Sequence, residues 1–353
     1  MNRLSKEYKR TLAIAALILG VFLFLKTLVF FESGSEDSNI KSMYDALWYS
    51  LVTLSTVGYG DFYPVTPRGK IMAIVLVIGS LGVLSYIVGQ ISLLITSYME
   101  KKKTGQFGTK LNNHFVIIGW DDFSKQVANQ IVKAGHKIAI ITNSKNDVDL
   151  IRESYPNDQI FVLFADYDNY EALAKTNIEQ CSKVFINFDD DSKTLIHIIN
   201  IQKRFSNLKF VVILNSQDLK DTFRSVGVTY IVSKNEIASK LVASYIFEPD
   251  AAFLTEDIME TSLEGDDHDI VQFKIMGQNP FIGRKYEEVF LEMKKTYNSV
   301  LLGISKSNQD YTVLKNPENN CLVEENDYLI LMADGPAKKV ISKDFNISDG
   351  RFD

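Results

Sequence analysis

The run Thr56-Val57-Gly58-Tyr59-Gly60-Asp61 holds the residue types and spacing in this chain that point most directly to chemistry. That chemistry is coordination, not bond making. A cation that sheds its water needs oxygen ligands in place of the hydration shell. The backbone carbonyls of Thr56, Val57, Gly58 and Tyr59, with the Thr56 hydroxyl, can supply them. Aiming successive carbonyls along one axis requires unusual dihedrals. Gly58 and Gly60 tolerate left-handed values that a Cβ would penalise. Asp61 is expected to support the run from its outer end. One chain supplies one line of carbonyls, and closing a ring around an ion calls for four.

The neighbouring segments must hold this run in place. Residues 44–55 are too few to cross a bilayer but apolar enough to be buried, and Asp45 can act as an N-cap. They read as a short re-entrant helix that enters from outside and stops midway, so helix and run together occupy 45–61. Irregular backbone at membrane depth is tolerated only where it lines a cavity. The negative C-terminal end of the helix favours a cation there. Two apolar spans flank this segment. The first, 11–31, carries a single charge, Lys26, and as a helix covers about 31 Å, one bilayer core. The second, 70–98, covers about 43 Å and must tilt or continue beyond the membrane. No small-residue cleavage site follows the first span, which reads as a retained helix. Arg3, Lys6, Lys9 and Arg10 precede the first span and Lys101, Lys102 and Lys103 follow the second. Both termini are therefore expected in the cytoplasm, with the intervening segment outside.

Composition separates the 353 residues into unlike halves. Residues 1–100 are strongly apolar, whereas 113–353 read as a mildly acidic globular protein. The net charge of -6 argues against a nucleic-acid partner. Cys181 and Cys321 lie far apart, in no zinc or disulfide pattern. The four histidines, His114, His136, His197 and His268, show no metal-ligand spacing.

A polar, basic stretch at 101–112 reads as a linker. Beyond it, apolar runs at 115–119, 138–142, 160–163, 183–187, 209–214 and 230–232 alternate with helical patterns at 124–133, 148–155, 192–205 and 219–226. Short continuous apolar runs are typical of buried parallel strands. The alternation predicts a Rossmann-like, doubly wound parallel sheet over 113–245. A helical crossover broken at Pro249 is expected to occupy 246–264. A small α/β C-terminal lobe follows at 265–345, with strands near 271–275, 300–305 and 328–332, and a tail at 346–353. The expected architecture is an all-α two-span pore module over 1–100 joined to a cytosolic α/β unit.

Residues 1–100 resemble the pore module of two-transmembrane prokaryotic potassium channels, without the extra spans and arginine-rich helix of voltage-gated relatives. The whole chain resembles those that carry a C-terminal RCK domain (regulator of potassium conductance), including the calcium-gated members. Besides the 56–61 run, the resemblance rests on Asn113-His114-Phe115-Val116-Ile117-Ile118-Gly119-Trp120, on Ala165-Asp166 and on Gly227-Val228. It implies that Thr56, Val57, Gly58, Tyr59, Gly60 and Asp61 form a selectivity filter for K+. It implies passive permeation through a homotetramer in the plasma membrane, with no enzymatic activity. A small cytosolic ligand would act on an RCK ring that pulls on the second span through 101–112. The resemblance leaves open whether soluble RCK copies complete the ring. Gly79 and Gly82 are hinge candidates, and close packing of helices at small residues is their other reading. The alternative function is the membrane subunit of a regulated potassium uptake system, although such proteins usually carry several pore repeats in one chain.

The ligand is not identified by the sequence, and a divalent cation or a nucleotide would both suit the resemblance. Classical NAD binding is disfavoured. Of the G-x-G-x-x-G pattern only Gly119 is present, and Asp121 and Asp122 stand where phosphates would lie. The positions matching the acids of calcium-gated members are Asn187, Ile213 and Asn215, which offer no carboxylate. Asp189, Asp190 and Asp191 lie close by as candidate cation ligands, or as the cap of a helix starting near Ser192. With Asn187, Asn215 and Asp166 they make up the candidate regulatory region.

Overall fold

A computed structural model of the chain describes residues 19–261, 265, 267–307 and 312–351. Of the expected first span, 11–18 lie outside the described residues, as do the basic positions before it, 262–264 of the crossover and 352–353 of the tail. The chain divides into two units, Met1–Met99 and Glu100–Asp353.

In the first unit, helix α1 is described over 19–32, α2 spans Met43–Leu54 and α3 spans Pro67–Lys103, leaving this unit at Met99. Helix α2 starts two residues earlier than Asp45. Ser42 is its N-cap, accepting from the Asp45 amide, while the Asp45 carboxylate returns a bond to the Ser42 amide. Asp45 is thus the third residue of a capping box and not the cap itself. At twelve residues α2 is about 18 Å long and cannot cross a bilayer. Helix α3 begins at Thr66-Pro67, where the Thr66 hydroxyl accepts from the Gly69 amide at 3.0 Å. Pro67 occupies the first turn, where its missing N–H costs nothing. Among the described residues α3 is the one helix long and apolar enough to cross a membrane. Leu25 and Leu28 of α1, Ala46 and Tyr49 of α2, and Ile40 form the core of this unit.

The second unit holds two sheets. The larger is built from β1 (Phe115–Ile118), β2 (Ile138–Thr142), β3 (Ile160–Phe164), β4 (Lys183–Ile186), β5 (Phe210–Leu214) and β6 (Tyr230–Ser233). They lie in the order β3-β2-β1-β4-β5-β6, all parallel. The order reverses at β1, which pairs with β2 on one side and β4 on the other, so the sheet is doubly wound. Helices α4 (Asp122–Lys133) and α5 (Lys145–Ser154) pack Ala128, Val148 and Ile151 on one face. After a short α6 (Tyr170–Leu173), α7 (Asp191–Gln202) and α8 (Lys220–Ser225) pack Ile198, Ile201 and Phe223 on the other. Every residue of β2 is buried. Each Ile or Val so enclosed contributes about 1.5–3 kcal/mol.

Helices α9 (Lys234–Phe247) and α10 (Pro249–Ile258) follow, with the break at Pro249 as expected. Their Val242, Ile246, Phe247, Phe253 and Leu254 are exposed on the single chain. Strands β7 (His268–Lys274), β8 (Val300–Ser305), β9 (Val313–Lys315) and β10 (Tyr328–Asp334) form the second sheet, ordered β7-β10-β8-β9 and antiparallel. Helices α11 (Tyr286–Tyr297) and α12 (Gly335–Phe345), and the short β9, were not expected individually. Val289, Met293, Ile341 and Phe345 of the two helices close its core.

Candidate functional site

The conduction candidate begins where α2 ends. The amides of Val57 and Gly58 both donate to the Val52 carbonyl, at 3.1 and 3.2 Å, which ties the start of the run to the last turn of α2. Thr56, Gly58 and Gly60 have φ values of 60°, 59° and 77°, whereas the intervening Val57 and Tyr59 stay out of the left-handed region. Alternating hand at successive residues turns neighbouring peptide planes the same way, so their carbonyls can share one direction. Glycine accepts this conformation freely. Thr56 is β-branched and strained there, and such strain concentrates where function requires it.

The outer end is braced by side chains. Trp48 Nε1 donates to Asp61 Oδ2 at 2.8 Å. The Trp48 and Tyr59 rings stack, centroids 6.2 Å apart and planes within 6°. The Asn39 amide donates to the Asp61 carbonyl. Asp61 is held by Trp48 and Asn39, partners that sequence reasoning did not identify. A second brace lies just beyond. Glu32, fully buried at the end of α1, accepts from Ser38 Oγ at 2.8 Å, Val65 N at 3.0 Å, Thr66 N at 3.1 Å and Thr66 Oγ1 at 2.6 Å. A Cβ at Gly69 would fall 1.8 Å from Glu32 Oε1, so only glycine leaves room for the carboxylate.

Gly79 and Gly82 lie within the continuous helix α3, and among the described residues nothing approaches within 4 Å of a Cβ built at either. Gly79 lines an apolar cavity of about 480 Å³ between α1, α2 and α3, together with Leu25, Leu54 and Val75.

The candidate regulatory residues are drawn into local structure. Asn187 Nδ2 donates to Asp121 Oδ1 at 2.7 Å and to Ser124 Oγ at 2.9 Å. Asp190 caps α7 through the amides of Ser192 and Lys193. Asp191 Oδ1 and Oδ2 accept from the amides of Asn215 and Ser216 at 3.1 and 2.9 Å. Asn215 Nδ2 donates to the Asp189 carbonyl at 2.8 Å. Asp166 is exposed on the turn after β3, where its carbonyl accepts from the Asn169 amide. Among the described residues no three acidic, histidine or cysteine side chains are grouped to hold a metal ion. Gly119 also has a structural use, because a Cβ there would lie 2.1 Å from the Asn187 carbonyl oxygen. The crevice after β1 and β2, a cavity of about 350 Å³, is lined by Asp121, Asp122 and Asp147, with Lys125 beside them.

Three histidines of the second unit are held neutral by their surroundings. Burial pulls His114, His136 and His197 below the ordinary value of 6.5. For His197, whose Nδ1 lies 3.1 Å from the Tyr170 hydroxyl, Asp168 at 3.5 Å opposes burial without cancelling it. Each takes up a proton more readily when unfolded. Stability is therefore full above pH 6.5 and falls as the pH drops through the folded values. Melting of the full chain between about pH 8 and about pH 5 should show this unit's transition moving to lower temperature on acidification. A transition that stays in place would contradict the assignment.

A helical module whose short α2 leads into a backbone run of alternating hand, followed by a doubly wound Rossmann-like unit, is the arrangement on which the comparisons bear. The ion-channel family model matches residues 14–97, and the TrkA-N domain model matches 115–234. The calcium-gated potassium channel TvoK of Thermoplasma volcanium is 24% identical over 335 residues, spanning 91% of this chain and 89% of that protein. Potassium channel protein 1 of Methanocaldococcus jannaschii is 24% identical over 223 residues, 62% of this chain and 66% of that one. The voltage-gated potassium channel Kch of Escherichia coli is 23% identical over 249 residues, 68% of this chain and 60% of that one. The chain thus carries an ion-channel domain and a TrkA-N domain, and over most of its length it is similar to proteins named as potassium channels.

Proposed function

We propose that the chain is one subunit of a homotetrameric potassium channel. Four copies of Thr56–Asp61 surround the ion path, and a ligand bound to the RCK unit sets the opening. The observation that carries this reading is the alternation of positive φ at Thr56, Gly58 and Gly60, held at its outer end by the Trp48–Asp61 bond. Permeation is passive and the permeant ion is K+, whose lost hydration the carbonyls replace. In this reading both termini and the RCK unit face the cytoplasm. The exposed apolar side chains of α9 and α10 suit pairing between RCK units. A dinucleotide at the β1–β2 crevice is disfavoured, because Asp121, Asp122 and Asp147 would repel its phosphates.

The test is single-channel recording of the purified protein in a planar bilayer under a potassium/sodium gradient. Calcium, magnesium and adenine nucleotides are added in turn to the face bearing the RCK unit. The reversal potential should lie near that of potassium. Folded tetramers that pass both ions equally, or no current at all, would overturn the reading.

A further inference from the structure

The stretch that follows the apolar part of α3 is not slack. Glu100 pairs with Lys145 of α5. Lys103 Nζ lies 2.5 Å from Asp149 Oδ1, and Arg152 Nε donates to the Lys103 carbonyl at 2.9 Å. Lys145, Asp149 and Arg152 are spaced four and three apart, so they line one face of α5. The chain then turns at Gly105, whose φ is 74°, and lies against edge strand β3. The Phe164 amide donates to the Thr104 carbonyl at 3.0 Å, and Gln106 Nε2 donates to the Phe164 carbonyl at 2.9 Å. Lys175 Nζ reaches Gln106 Oε1 at 2.7 Å, and the Thr109 amide donates to the Lys175 carbonyl at 2.8 Å. Thr104 and Gly105 are buried, and a Cβ at position 105 would lie 2.2 Å from the Val162 carbonyl oxygen.

These contacts have a mechanical consequence. A flexible polar linker averages over many lengths and transmits displacement poorly. Here the segment pairs with the Phe164 backbone at the open edge of β3 and covers a position that would otherwise invite pairing with another chain. We propose that residues 100–109 form a docked joint, which makes the last turn of α3 a part of the RCK unit. Movement of α5 and β3 then reaches α3 directly, with no tether to stretch first. Glu100 and Lys103 are positioning residues in this joint, and Gly105 is the seat that permits it. The inference rests on the channel reading above and names the residues through which gating passes.

The experiment records the full-length wild type first. Absence of potassium-selective current there would sink the channel reading, and this inference with it. Two variants are then compared with the wild type, each by amide hydrogen exchange and by recording in symmetrical potassium with and without added calcium. One is Gly105→Val. The other reverses the charges on α5 through Lys145→Glu with Asp149→Lys, and does not depend on the first one folding. Exchange at 104–109 and Phe164 should rise while β1, β2 and β4 keep their protection. Open probability should shift by about 5- to 150-fold, the usual range for coupled sites, with unit conductance and reversal potential unchanged. Adding Glu100→Lys and Lys103→Glu to the reversed background should return open probability towards the wild-type value. Faster exchange with unaltered open probability would show that the joint does not carry gating. Unaltered exchange in both variants would show that the segment is not held as described.

Discussion

Replacing Gly58 by alanine should abolish potassium-selective current while the RCK unit stays folded. Among the described residues no side chain blocks the new methyl, since none lies within 4 Å of a Cβ built at Gly58. The penalty comes from the backbone, because φ at Gly58 is 59°. A Cβ in that conformation costs about 1–2 kcal/mol in one subunit. Four copies around one pore raise this to about 4–8 kcal/mol, roughly a thousandfold or more in the population of the conducting form. The strain also adds to that of Thr56, two residues earlier and already left-handed. Gly79→Ala is the control, for it sits in regular helix with open space around it and should keep selectivity. The check is unit conductance and reversal potential in bilayers, with RCK-unit melting recorded alongside. A Gly58→Ala channel with wild-type conductance and selectivity would show that the left-handed residue is not needed.

What could be read from the sequence follows the distance between partners. The left-handed turns at Gly58 and Gly60 were legible because their requirement, glycine at alternate positions, is local. The six parallel strands were legible because each is a short continuous apolar run, even at the edges, where β6 is mostly half-buried. The capping box at Ser42 and Asp45 was also within reach, since its two members are three residues apart. Asp189, Asp190 and Asp191 were readable as cap or ligand, and only the amides of Ser192, Asn215 and Ser216 show how their oxygens are used. Trp48 and Asp61 are thirteen residues apart, and Glu32 lies 33 from Val65. No periodicity joins such pairs. The polar composition of 101–112 suggested a linker for the same reason, as the Phe164 backbone and Lys175 that hold it are far along the chain.

Removal of the Glu32 carboxylate should weaken the outer mouth more than any other single side-chain change outside the 56–61 run. The group is fully buried, and its two oxygens accept from Ser38 Oγ, the Val65 and Thr66 amides, and Thr66 Oγ1. Glu32→Ala strands two backbone amides, at about 1–3 kcal/mol each. Glu32→Gln keeps one acceptor oxygen but turns an amide donor towards the other set, so its effect should be smaller. Val65 follows Asp61 by only four residues, and on the proposed channel reading loosening there should reach the 56–61 run as current that decays during sustained opening. Gly69→Ala should mimic Glu32→Ala, because its methyl would displace the carboxylate. The double variant should then cost less than the sum of the singles, a coupling expected of residues in direct contact. Some cost at position 69 would remain, since Pro64 Cβ would still lie 2.9 Å from the added carbon. Thermal stability of the assembled channel and the time course of its current are the measurements. If Glu32→Ala melts with the wild type and holds a steady current, the brace has no bearing on the pore. If the double variant is fully additive, Glu32 and Gly69 act independently, and the contact between them is not what holds the outer loop.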